Sequence, residues 1–163
     1  MTTATTVRAA VDDDAGALIR IIEAAYAEYP GCMLDVDAEE PELRAIASAY
    51  AEAGGFFWVA ERERGPVGMV GCRPLSPSPS GDWELCKLYV DRTARGEGIG
   101  SMLVNLVAET AERAGGIGVQ LWTDTRFTNA HRLYERLGFV RQPGTRSLGD
   151  LSRSVEYRYA MRF

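Results

Sequence analysis

The chain has 163 residues, 46% of them hydrophobic and 25% charged, with 17 Gly, 7 Pro and 3 Cys. This is average globular composition, sufficient for one domain with a sizeable core, and it excludes disordered, collagen-like and disulfide-stapled classes. The 18 basic and 23 acidic residues leave a net charge of -5, which repels phosphate backbones and anionic headgroups, so neither a nucleic acid nor a membrane is an expected partner.

No apolar run approaches the length of a membrane span, and Met1 to Ala10 lacks the basic and apolar regions of a secretory signal; the expected location is cytoplasmic. Cys32, Cys72 and Cys86 have no CxxC spacing and cannot all pair, which reads as reduced thiols. His131 is the only histidine and lies far from them in sequence, so no metal site is expected. A homodimer is left open.

In chain order, Thr5 to Val11 reads as a strand, and Asp12 to Asp14 supply the cap and acidic first turn of a helix. Leu18, Ile21, Ile22, Ala25, Tyr26 and Tyr29 form its apolar stripe. Tyr29-Pro30-Gly31 stops it, and the acidic connection Cys32 to Glu40 leads to a second helix from near Pro41 to Ala53. Phe56 to Glu63 and Val67 to Leu75 predict a β-hairpin, followed by the Pro-Ser loop Ser76 to Gly81 and a fourth strand, Trp83 to Val90. A long helix then carries Ile99, Met102, Leu103, Leu106 and Val107 on one side. Ile117 to Thr123 is a strand, Thr128 to Leu137 a helix stopped by Gly138, and Phe139 to Gln142 and Val155 to Met161 are late strands. The order predicts one mixed α/β domain without repeats.

The segment Leu88 to Ser101 carries the most chemistry. A strand runs through Asp91-Arg92-Thr93-Ala94 into the turn Arg95-Gly96-Glu97-Gly98-Ile99-Gly100-Ser101, which opens a helix. Glycines allow close backbone approach, and the free N–H groups and positive dipole of a first helical turn suit an anion such as a pyrophosphate. It is not a Walker A loop, since no Gly-Lys-Ser/Thr follows, nor a dinucleotide fingerprint, since Arg95 occupies the first glycine position.

The pattern Arg95-x-x-Gly98-x-Gly100 resembles the signature of the GCN5-related N-acetyltransferases, the GNAT family. Glu84 to Val90 resembles that family's fourth strand, Ala130 to Phe139 its A-x-x-L-Y-x-x-x-G-F block, and Trp58 to Glu61 with Val67-Gly68 its second and third strands. The resemblance implies a mostly antiparallel central sheet of about seven strands flanked by about four helices, with the fourth and fifth strands splayed. It also implies acetyl-CoA as cosubstrate and direct acetyl transfer to an amine, of a small molecule or of an exposed protein. An acyl-CoA sensor without turnover is the alternative.

On this resemblance, Leu88, Tyr89 and Val90 offer backbone groups to pantetheine, and the turn from Arg95, Gly96, Glu97 and Gly98 through Ile99, Gly100 and Ser101 holds the pyrophosphate. The family often has an asparagine where this chain has Phe127; Asn129, two positions on, is the replacement contact. Its common proline is Arg92 here, which implies either a looser turn or a charge directed toward the adenosine phosphates. Tyr134 is the implied proton donor to the departing thiolate, against a reading as a core aromatic. Strand alternation puts Glu84 on one face with Cys86 and Leu88, where a carboxylate is the implied base, directly or through water, or the amine anchor; the competing reading is a salt bridge with an arginine. Cys86 as a nucleophile is disfavoured because no histidine is placed to activate it, and His131 reads as a satisfied or surface histidine. The acidic run Asp35 to Glu42 reads as a solvated face, with attraction of an amine cation as its functional counterpart.

Overall fold

A computed structural model describes residues 3–163; Met1 and Thr2, at the start of the segment read for a secretory signal, lie outside the described residues. The chain runs β1 (Thr6–Ala9), α1 (Ala15–Tyr26), α2 (Val36–Glu39), α3 (Ile46–Glu52), β2 (Phe56–Arg62), β3 (Gly65–Pro74), β4 (Asp82–Val90), α4 (Ile99–Arg113), β5 (Gly118–Asp124), α5 (Thr128–Arg136), β6 (Val140–Arg141), β7 (Arg146–Ser147) and β8 (Val155–Arg162). Short 3-10 turns occupy Asp12–Asp14, Pro41–Ala45 and Arg92–Ala94. The mixed α/β expectation stands, with eight strands and five helices among the described residues in place of about seven and about four. The additions are the one-turn α2 and the two-residue β7, both too short to produce a hydrophobic period.

Several boundaries move for physical reasons. The predicted first helix opens as a 3-10 turn over Asp12–Asp14, which Asp14 closes by accepting the Val11 N–H (2.8 Å) while paired with Arg8, and the α-helix itself begins at Ala15. Asp12 instead accepts from the backbone N–H of Ser48 (2.9 Å) and from its hydroxyl (2.5 Å), binding the chain's start to α3. The predicted helix from Pro41 divides into a 3-10 turn and α3.

The sheet order is β1-β2-β3-β4-β5-β8-β6, with β7 pairing β8. Every pairing is antiparallel except β4 with β5. That parallel ladder covers only Asp82↔Gly118 to Glu84↔Gln120. Beyond it β4 stays with β3 as far as Val90↔Gly68, while β5 stays with β8 as far as Asp124↔Glu156. The two strands therefore diverge, and the edge of β4 past Glu84 faces a cleft.

Helices cover both faces. Leu18 and Ile22 of α1, together with Leu43 and Ile46, bury against Val59 and Met69 on one face. Leu103 and Val107 of α4, with Tyr134 of α5, bury against Val70, Leu85, Leu121 and Tyr159 on the other. Each fully buried Leu or Ile side chain stabilises by about 1.5–3 kcal/mol. At Gly71 a Cβ would lie 2.6 Å from the Tyr50 ring and 2.7 Å from Phe57, so the T-shaped Tyr50–Phe57 pair requires glycine there.

One sequence expectation is overturned in β4. Gly71 pairs with Cys86 but Met69 pairs with Tyr89, so β4 carries one extra residue at a bulge where Lys87 has φ 52. Strand alternation changes phase there. Cys86 and Tyr89 pack toward α1, while Leu88 and Val90 pack with the α4 core. Glu84 and Leu88 consequently lie on opposite faces.

Candidate active site

The start of α4 is open. Gly96 (φ 79) and Gly98 (φ 82) have left-handed backbones, and Gly98 is an N-cap without a side-chain hydrogen bond. The Met102 N–H closes onto the Gly98 carbonyl at 3.0 Å, so the amides just before it are the unsatisfied donors of a helix N-terminus. A cavity of about 440 Å³ lies between this turn, α5 and the free edge of β4. It brings together Leu88, Tyr89, Val90, Arg95, Gly96, Gly98, Ile99, Gly100, Ser101 and Asn129. Glu97 does not line it; its carboxylate pairs with Arg62. Arg95 lines it with its guanidinium already engaged, donating to both Glu28 oxygens (2.8 and 2.7 Å) and to the Val90 carbonyl (2.9 Å). That contact holds the Glu28 carboxyl below its ordinary range.

A second cavity of about 380 Å³ occupies the other side of the splay. Leu88, Tyr89, Phe127 and Ala130 line both cavities and form their junction. The second is acidic: eight carboxylates line it against Arg73, Lys87 and Arg146. Ser152 closes one wall, its hydroxyl accepting from the Met33 N–H (2.8 Å) and donating to the Met33 carbonyl (2.9 Å).

The sequence model of the acetyltransferase (GNAT) family matches residues 18–139. This chain belongs to the GNAT acetyltransferase family. It is thereby an enzyme of the acetyl-CoA-dependent N-acetyltransferase class. It is 34% identical over 128 residues to the uncharacterized N-acetyltransferase YjgM of Escherichia coli (strain K12), covering 77% of this chain and 76% of that one. It is also 35% identical over 117 residues to N-acetyltransferase 8 of Homo sapiens, covering 70% of this chain and 49% of the human one; against that relative the chain spans about half the length. An acetyltransferase of the GNAT family from Staphylococcus aureus Mu50 superposes with a TM-score of 0.79 at 26% identity, over 96% of this chain and 99% of that one. The fold is shared with yncA from Salmonella typhimurium, solved with its cofactor acetyl-CoA, at a TM-score of 0.74 and 19% identity, over 98% and 94% of the two chains.

The first cavity of this GNAT chain fits the cosubstrate of its class. A Cβ at Gly96 or Gly98 would meet nothing within 4 Å, so the space above the amides is open, and the first turn of α4 has no acidic residue. The strand edge at Leu88 to Val90 is free to pair with amide groups of a pantetheine arm.

The remaining side chains divide by environment. Tyr134 lines the second cavity at 5% exposure, and burial, with the nearby Cys86 sulfur, pushes its hydroxyl well above the ordinary tyrosine range. Burial and then Glu84 push the Cys86 thiol up to about 11. Glu84 takes Arg73 Nε and Nη2, each at 3.0 Å, on Oε2: the arginine salt bridge weighed from sequence is present, and the carboxylate still lines the second cavity. Burial raises the Glu156 carboxyl against the opposing pull of Arg146. His131 is satisfied, its Nε2 lying 2.9 Å from the Asp124 carbonyl oxygen.

Sequence reasoning missed Tyr29, Arg136, Asp124, Arg146 and Glu156 as lining residues. For Phe127 the signal was present, since it departs from the family's asparagine; its ring packs 4.9 Å from Tyr29 and 6.2 Å from Tyr26 at the junction.

Proposed function

We propose that this chain transfers an acetyl group from acetyl-CoA directly to a primary amine, of a small molecule or an exposed protein, in the cytoplasm. The observation that carries this reading is the meeting of an open, glycine-lined cavity and an acidic cavity at the splay of β4 and β5.

Acetyl-CoA, when bound, supplies an activated acetyl thioester. The backbone amides of Gly96 to Ser101 hold its pyrophosphate, and the free edge of Leu88 to Val90 orients its arm and polarises the acetyl carbonyl through an N–H. Asn129 is a further contact at the mouth. The second cavity receives the amine. An alkylammonium has a pKa near about 10.4, so at neutral pH roughly 1 in 10³ molecules is a free nucleophile and a proton acceptor is needed. Glu84 fills that role directly or through a water. Arg73 holds Oε2, leaving Oε1 for the amine. Tyr134, kept protonated by burial, gives its hydroxyl proton to the departing sulfur.

The test is coenzyme A release over a panel of amines, amino acids and peptides. Turnover with any amine supports acetyl transfer, and the absence of an acetyl adduct on the enzyme during that turnover supports the direct route. Acetyl-CoA binding without turnover across all of them would favour a sensor role.

A further inference from the structure

We propose that Lys87 is a positioning residue for the acceptor: its ammonium ties the acidic segment that walls the acceptor cavity to the splayed half of β4, and so sets acceptor affinity independently of the donor cavity. This rests on the donor and acceptor assignment of the two cavities given above.

Lys87 is the chain's only lysine. In a regular strand, residue 87 would point opposite to Cys86. The left-handed backbone at φ 52 turns it instead, and both side chains line the acceptor cavity. A non-glycine residue holds such a backbone only where its surroundings over-determine it. Here they do: the Lys87 side chain is 12% exposed, with Nζ 2.5 Å from Glu40 Oε1 and 3.3 Å from Glu42 Oε1.

The segment so tied has little stability of its own. It consists of the four-residue α2, capped by Asp35 on the Ala38 N–H (3.0 Å), and the 3-10 turn Pro41–Ala45. A single helical turn does not persist without tertiary contacts. Leu43 anchors the turn from beneath, and the Leu151 N–H reaches Glu39 Oε2 at 3.1 Å from the opposite wall. Lys87 is the tether from the sheet. Its partners Glu40 and Glu42 are two of the carboxylates that give the cavity its charge, so the same contact fixes the wall's position and part of its field. None of these residues lines the donor cavity.

The experiment compares Lys87→Met, Lys87→Arg and Lys87→Gly by steady-state kinetics on an amine the enzyme acetylates, calorimetry with coenzyme A, and hydrogen exchange at the Glu39, Glu40 and Leu43 amides. In Lys87→Met the acceptor KM rises about tenfold while kcat stays within about threefold, coenzyme A affinity is unchanged, and the three amides exchange faster. Lys87→Arg restores most of the acceptor affinity, because a guanidinium can still engage both carboxylates. Lys87→Gly suits the left-handed backbone but lacks the ammonium, and it behaves like Lys87→Met. A wild-type acceptor KM in Lys87→Met overturns the proposal, as does a wild-type Lys87→Gly, which would leave the backbone turn alone responsible. Parallel loss of coenzyme A and acceptor affinity also overturns it. If the unmodified enzyme bound no coenzyme A, the cavity assignment itself would fall, a result distinct from any variant's.

Discussion

Arg73 and Glu84 face each other directly across β3 and β4, and both guanidinium contacts land on the same carboxylate oxygen, Oε2, at 3.0 Å. A carboxylate held on one oxygen is oriented and still has an acceptor to offer on the other. Glu84→Gln keeps the shape and removes the base, so kcat/KM for the amine falls by about 10²- to 10⁴-fold at neutral pH. The deficit narrows as pH rises and free amine becomes abundant. Arg73→Gln removes the orientation but leaves the carboxylate, and its loss is smaller. A pH profile of kcat/KM for both variants checks this; an unaltered Glu84→Gln profile would return Glu84 to a purely structural ion pair.

The parts of this site legible in the sequence are those built from local backbone rules. The turn from Arg95 to Ser101 declares itself because glycine at positive φ and a helix start are short-range features, and the residues read there, Glu97 excepted, line one cavity. The wall of the second cavity was not legible. Ser152 reaches Met33 from 119 positions away, and Arg146 meets Glu156 only through the two-residue β7 on β8; neither pairing leaves a period in the sequence. The bulge at Lys87 was also invisible, because one inserted residue changes no composition yet reverses which face Leu88 occupies.

Tyr134→Phe separates proton donation from packing. The ring sits between Phe139 (5.8 Å) and Tyr159 (6.0 Å), contacts that phenylalanine retains, so stability and coenzyme A affinity stay close to wild type. Turnover falls by about 10²- to 10⁴-fold, the range of a lost general acid. Single-turnover kinetics showing an unchanged chemical step would make Tyr134 a core aromatic only.

Gly98→Asp tests the anion cradle. A Cβ there meets nothing within 4 Å, and aspartate tolerates the left-handed backbone better than most residues, so the variant folds. Its carboxylate would sit over the amides that face the first cavity. Coenzyme A affinity measured by calorimetry drops at least about tenfold, whereas unchanged affinity in a folded variant would move the phosphate site elsewhere.

His131 makes stability depend on pH in a defined window. Burial holds its pKa below the ordinary 6.5, so as pH falls the unfolded chain takes up the proton before the folded one. Its contribution is complete above about 6.5 and declines as pH drops toward the folded-state value. Glu156, raised by burial, acts in the opposite sense: it favours the folded state below the ordinary carboxylate value and loses that contribution as pH rises through the folded-state value. Urea midpoints between pH 7.5 and 5.5 should therefore fall in wild type and flatten in His131→Gln; parallel slopes would count against the assignment.

Direct transfer requires that Cys86 never carry the acetyl group. Cys86 lines the second cavity together with Glu84 and Tyr134, an arrangement that invites comparison with a two-step route through a thioester on the protein. The nucleophile in such a route is the thiolate. Burial, reinforced by the Glu84 charge, pushes the thiol up to about 11, so at neutral pH only about 1 in 10⁴ molecules carries it. No imidazole compensates, because His131 is engaged with the Asp124 carbonyl. Cys86→Ala consequently retains most of the wild-type kcat/KM, and iodoacetamide modifies Cys86 slowly at pH 7 and faster as pH approaches 11. A mass spectrum of enzyme quenched during turnover should show no acetyl adduct at Cys86. An adduct there, together with an inactive Cys86→Ala, would replace direct attack by the amine with a two-step mechanism.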